Sequence, residues 1–138
     1  MTTTAQVGHV PGHPVLGASC HADEATVEVR AVLDRVGDKW STLVLGTLAS
    51  GPRRFTELLH GIDGISQRML TLTLRHLERD GLVSRTVHAV VPPRVDYALT
   101  DLGQTLLPPV VALVEWAFAH TDAIRAHRER YDDARAGA

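Results

Sequence analysis

The chain has 138 residues, 44% of them apolar and 22% charged, which suits one globular domain and excludes a disordered polyelectrolyte. The formal charge is only −2, yet residues 53–94 hold seven arginines against four acids, so attraction for a polyanion is concentrated there. No apolar run approaches the ~18 residues that span a bilayer, and the single cysteine, Cys20, excludes an intrachain disulfide; both point to the cytoplasm and to no membrane partner.

Residues 1–22 are rich in Gly, Pro, Thr and His and lack the basic region and long apolar core of a signal peptide, so they read as a flexible arm. His9, His13, Cys20 and His21 match no zinc-ligand spacing, and no metal is expected. From Asp23 to Val36, Val29, Val32, Leu33 and Val36 repeat at i, i+3, i+4, i+7, which predicts a helix capped by Asp23 and ended at Gly37. Asp38 opens a second helix with Trp40, Leu43, Val44, Thr47 and Leu48 as its expected buried face, stopped by Ser50-Gly51-Pro52. A short helix follows in RRFTELLHGI, with Phe55, Leu58, Leu59 and Ile62 inward, then a tight turn at Asp63-Gly64.

Ser66 caps the next helix, in which Leu70, Leu74 and Leu77 must face the core, and Gly81 ends it in a left-handed conformation. Arg68, Leu72, Arg75 and Arg79 fall on the opposite side, flanked by Gln67 and Thr71 near the N-terminal end. LVSRTVH and RVDYALT alternate as strands, Val83, Arg85 and Val87 in one and Val95, Tyr97 and Leu99 in the other, with AVVPP as the joining loop; a two-stranded hairpin is predicted. Thr100 caps a long last helix. Its stripes, Leu106–Val110–Leu113–Ala117 and Leu107–Val111–Val114–Phe118, cover about 160° of the wheel, more than the ~100° that packing on one core requires. Pro108-Pro109 is expected to kink this helix or to start its main part, and the polar stretch beyond His120 to form a last surface helix and tail. The organisation is thus an arm (1–22), a domain with its long flanking helices (23–120) and a C-terminal helix and tail (121–138).

The fold class this predicts is mainly α with a small β-hairpin. Two helices joined by a short glycine turn and followed at once by a hairpin make a winged helix-turn-helix. Such a unit presents the polar N-terminal face of its second helix to the major groove of double-stranded DNA while the preceding helix braces it. Ser66, Gln67, Arg68, Thr71 and Arg75 occupy that face; arginine forks onto guanine edges or clamps phosphate, and glutamine pairs with adenine. Arg53 and Arg54 precede the bracing helix, and Arg94 stands at the wing, where phosphate or minor-groove contact is expected. No GxSxG, HExxH, phosphate-cradling loop or dinucleotide fingerprint is present, so neither catalysis nor a cofactor is expected.

The segments GDKWSTLVLGTL, GPRRFTELLHGIDGISQRMLTLTLRHLERDGLVSR and VPPRVDYALTDLGQTLLPPV resemble the HxlR-type bacterial regulators, winged-helix proteins related to the MarR group, over about residues 27–118. The resemblance implies a homodimeric transcription factor, usually a repressor, on pseudo-palindromic operator DNA. It also implies that the first and last long helices form the dimer interface, through Val29, Val32, Leu33, Leu106, Val110, Leu113, Val114, Trp116 and Ala117. Trp40 and Trp116 are then core and interface anchors.

Many members of that family carry a cysteine just before the first helix that senses oxidants, quinones or other electrophiles, and Cys20 stands in that neighbourhood. The helix N-terminus and His21 favour its thiolate, whereas Asp23 and Glu24 oppose it. The family's cysteine is often followed by proline and lies nearer the tryptophan motif; here His21 follows it, and Gly37 is seventeen residues on. Two alternatives stay open. One is a winged helix used for protein–protein contact, which needs an apolar outer face where Leu72 is the single such residue. The other is a regulator controlled by a small hydrophobic ligand at the dimer interface.

Overall fold

The structure is a computed structural model that describes residues 24–137, so Asp23, Cys20, His9, His13 and His21 lie outside the described residues. The chain divides into two units, Met1–Asp38 and Lys39–Ala138. The described part of the first is essentially α1 (Glu24–Gly37), on which Val29, Val32 and Leu33 are exposed.

The second unit runs α2 (Lys39–Leu48), β1 (Arg53–Arg54), α3 (Phe55–Gly61), α4 (Gln67–Arg79), β2 (Val83–His88), β3 (Arg94–Leu99) and α5 (Asp101–Ala136). The expected helices as far as the start of the last one, the hairpin and the winged helix-turn-helix order are there. The sheet, however, has three antiparallel strands in the order β1-β3-β2, not two. β1 is only the pair Arg53–Arg54, set against Tyr97 and Asp96 of β3. Two arginines carry no alternation and little strand propensity, so this pairing comes from tertiary contact alone. In the hairpin Val83 faces Leu99, Arg85 faces Tyr97 and Val87 faces Val95, so the two alternating sets share one face of the sheet.

The core joins Val44, Leu45 and Leu48 of α2, Leu58 of α3, Leu70, Leu74 and Leu77 of α4, and Val83 and Tyr97 of the sheet, with Phe55, Leu59, Leu99, Leu106 and Leu107 packed around them. Each fully buried leucine contributes about 1.5–3 kcal/mol. On α4 the i, i+4, i+7 leucines are inward as expected, joined by Thr73. On α2 the buried stripe is Ser41, Val44, Leu45 and Leu48, and Leu43 is 46% exposed. The stripe expected from Trp40 was rotated by about one residue, or 100°. Trp40 itself only packs half-buried at the core's edge, and Leu43 belongs to a second apolar face.

α4 ends in a double hydrogen-bonded turn. Leu82 N–H donates to Leu77 C=O at 3.0 Å and Gly81 N–H to Glu78 C=O at 3.0 Å, with Gly81 at φ +76°. That left-handed backbone is one glycine adopts without strain. The same turn is stitched to the start of α5. Thr100 N–H donates to Leu82 C=O, its hydroxyl donates to Gly81 C=O, and its oxygen accepts from Gly103 N–H at 3.0 Å. Gly103 is buried against this turn; a Cβ there would lie 2.1 Å from the Leu82 carbonyl oxygen.

α5 is one helix from Asp101 to Ala136 with Pro108 and Pro109 inside it. The expected break at the prolines and the separate helix beyond His120 are therefore replaced by a single element. The prolines deprive the carbonyls of Gln104 and Thr105 of their intrahelical donors, and both residues are exposed, so solvent can reach them. By length and composition alone α5 holds an 18-residue window of mean hydropathy 1.3, long and apolar enough to cross a bilayer, although it contains no continuous apolar run of that length. Its apolar residues come in helical stripes, so no continuous run announces the window. Its first turns are nonetheless part of the core: Gly103 and Val110 are buried, and Leu106 and Leu107 pack against it.

Candidate nucleic-acid interface

The helix-turn-helix is set by how α4 begins. Ser66 is extended, at φ −80° and ψ 157°, and its hydroxyl oxygen accepts the Met69 N–H at 3.0 Å. The cap takes one of that oxygen's two lone pairs, which leaves Ser66 its hydroxyl proton and a second lone pair. Thr71 is half-buried and donates its hydroxyl to the Gln67 carbonyl at 2.8 Å. Gln67, Arg68, Leu72 and Arg75 are exposed, and with Thr71 they line one shallow concavity along the outer face of α4. The sequence reading grouped these residues, and the structure brings them together.

β2 then turns back beside α4. Thr71, Leu74, Arg75 and Glu78 of the helix share a second cleft with Arg85 of β2 and Tyr97 of β3. The expected DNA-facing set lacks Arg85, which follows the helix in sequence. The signal that would have found it was the strand alternation: Val83 is buried against α4, and Arg85 is on the same face of the strand. Among the described residues, no ion pair or side-chain hydrogen bond engages the guanidinium groups of Arg68, Arg75 or Arg85. Three exposed arginines without a side-chain partner among the described residues thus line the outer side of α4, Arg68 at its N-terminal end and Arg75 and Arg85 farther along.

The other expected contacts separate. Arg53 is half-buried and donates from Nη1 to Pro52 C=O at 3.0 Å and from Nη2 to Ser50 Oγ at 2.9 Å, so it ties the α2–β1 turn. Arg54 points to the opposite face of its strand, is exposed, and lines a groove with Phe55, Thr56 and the β2–β3 loop. Arg94 lines the same groove, with its Nε 3.4 Å from Asp96 Oδ1. Asp96 Oδ2 lies 2.8 Å from His88 Nε2, so one carboxylate serves both wing strands.

The residues expected at a subunit interface also divide. Val110 is 4% exposed and Leu106 packs against the core, so both serve the protomer's own packing. Leu113, Val114, Trp116 (55%) and Ala117 are exposed, beside Phe118 at 81%. Trp116 stacks on His120 with ring centroids 4.5 Å apart. Leu43, Gly46 and Thr47 of α2 form an apolar groove of about 450 Å³ with Leu107, Val110, Val111 and Val114 of α5.

The model of the HxlR-like helix-turn-helix family matches residues 35–125. The chain is 44% identical over 108 residues to an uncharacterised HTH-type transcriptional regulator of Methanothermobacter thermautotrophicus, covering 78% of this chain and 82% of that one. Among solved structures it is similar to the putative transcriptional regulator YtfH from Salmonella typhimurium, with TM-score 0.69, 35% identity, and coverage of 79% of this chain and 99% of that one. It is also similar to the redox regulator HypR in its reduced form, with TM-score 0.67, 41% identity, and coverage of 72% and 98%. The chain therefore belongs to the HxlR-like helix-turn-helix family and is a winged-helix transcriptional regulator.

Proposed function

We propose that the chain is a cytoplasmic homodimeric repressor that binds a pseudo-palindromic operator with α4 in the major groove. The observation that carries this reading is the set of Arg68, Arg75 and Arg85, unpaired among the described residues, around Gln67 and Thr71 on one exposed surface. The exposed stripe of Leu113, Val114, Trp116 and Phe118 supports a subunit contact along α5, and the α2–α5 groove with Leu43 extends that contact. Such a dimer sets two α4 helices about one turn of DNA, ~34 Å, apart. Among the described residues, no group of three or more His, Cys, Asp and Glu side chains stands ready to hold a metal.

A gel shift with the DNA upstream of the chain's own gene tests this. Two chains should bind per site, with affinity falling steeply between 50 and 200 mM salt, as expected when several phosphates are neutralised. Equal binding to unrelated DNA at every salt concentration would leave no specific regulator to argue for.

The likeness to HypR, described as a redox regulator, supports a second element of the proposal: control through Cys20. Mild oxidation with diamide should then release operator from the wild type and spare Cys20→Ser. The same loss in both proteins would assign the effect elsewhere.

A further inference from the structure

The loop that joins β2 to β3 carries an apolar tip with no work to do inside the protein. Val91 is 100% exposed and Val90 53%, and Pro92 and Pro93 complete the apex. The stalk beneath is basic and polar: His88 pairs with Arg94 in the last rung of the ladder, and Arg54 and Arg94 border the groove that Val90 and Val91 line. Val91 gains nothing from folding, because it is as hydrated there as in the unfolded chain, and Val90 still keeps about half of its surface in water.

The direction of the wing gives the tip a destination. β2 leaves the C-terminal turn of α4 and runs back along the helix, since Arg85 shares a cleft with Thr71 and Arg75. Six residues of strand cover about 20 Å, and the thirteen residues of α4 also cover about 20 Å. The tip therefore draws level with the N-terminal, DNA-facing end of α4 while displaced sideways by the sheet. With that end of α4 in a major groove, a projection beside it crosses the phosphate backbone and meets the neighbouring minor groove. Arg54 and Arg94 are then placed for phosphate, and Val90 and Val91 for the groove floor.

We infer that the Val90–Val91 tip is an apolar minor-groove reader that selects operators for deformability in their flanks. The inference rests on the DNA-binding reading above. Valine has neither donor nor acceptor, so it cannot read the minor groove's hydrogen-bond pattern. An apolar side chain pressed between base steps instead favours sites that open cheaply, such as the pyrimidine–purine steps TA and CA. Both valines are β-branched and two prolines follow, so little conformational freedom remains to be lost on contact.

The test begins with in vitro selection from random double-stranded DNA using the full wild-type chain. Its operator is then titrated with wild type, Val90→Ser/Val91→Ser and Arg94→Ala over a salt series. The serine pair should bind the selected operator about tenfold more weakly, a loss of the size of one mismatched base pair, with the salt slope unchanged because no charge is removed. A second selection with the serine pair should keep the central motif and lose the TA or CA preference in the flanks. Arg94→Ala should lower the salt slope. The tip is exposed, so the serine pair should melt at the wild-type temperature. Wild-type affinity and unchanged flanks in the serine pair overturn the inference, as does an equal loss on selected and random DNA. Failure of the wild type to select any motif overturns the DNA-binding reading instead.

Discussion

Replacing Arg68 and Arg75 together by alanine is expected to weaken operator binding by roughly two to four orders of magnitude, because each arginine forked onto a base is worth about 1–3 kcal/mol. Both side chains are exposed on one face of α4 and unpaired among the described residues, so the loss should come without a change in melting temperature. Fluorescence anisotropy over a salt series separates two roles. If an arginine reads a base, its removal relaxes preference at one position of the operator; if it clamps phosphate, the salt slope falls by about 0.9 per lost contact. Arg85→Ala should behave as a phosphate clamp, given its place on the strand beside Thr71 and Arg75. Wild-type affinity in the Arg68/Arg75 double variant would remove α4 from the interface.

Gly103→Ala is expected to be the most damaging glycine-to-alanine change by steric overlap among the described residues. The added Cβ would stand 2.1 Å from the Leu82 carbonyl oxygen, a backbone atom that already accepts the Thr100 N–H and cannot swing aside. Relief requires α5 to move off the α4–β2 turn. Overpacking of this kind costs typically 1–3 kcal/mol and occasionally more, which for a unit of about 100 residues lowers the melting temperature by about 5–20 °C. Alanine is a better helix former than glycine, by about 1 kcal/mol in an unhindered helix. A stabilised Gly103→Ala protein in a thermal melt would therefore mean that the contact is absent.

The fold was legible wherever a local physical rule was written into adjacent residues. Ser66 and Gly81 marked both ends of α4, because a cap and a left-handed turn each need a particular residue type. Leu70, Leu74 and Leu77 marked its inner face by period alone. β1 stayed hidden, since Arg53 and Arg54 become a strand only by meeting Tyr97 and Asp96 far along the chain. The face of α2 is ambiguous in the sequence because both Leu43 and Leu45 are apolar, and only the packing of the core formed with α3, α4 and the sheet decides that Leu45 is the one covered. The site behaved in the same way. Gln67, Arg68, Thr71 and Arg75 could be grouped by helical spacing, whereas Arg85 joins them across a turn and Arg53 is drawn off by Ser50 and Pro52. Spacing reports which residues share an element; it does not report which partners compete for a guanidinium.

The stitch between Thr100, Gly103 and the Gly81–Leu82 turn makes a pivot of the place where α4, β2, β3 and α5 converge. A rotation of α5 would be felt by α4 at its C-terminal end, and the end proposed to face DNA lies at the far tip of that lever, about 20 Å away. A turn of only about 5° would carry Arg68 sideways by about 1.7 Å over that length, whereas a hydrogen bond to a base edge tolerates only a few tenths of an ångström. In the proposed dimer, a signal that changes how two α5 helices meet would therefore need no route through the core to move Arg68 off a base edge.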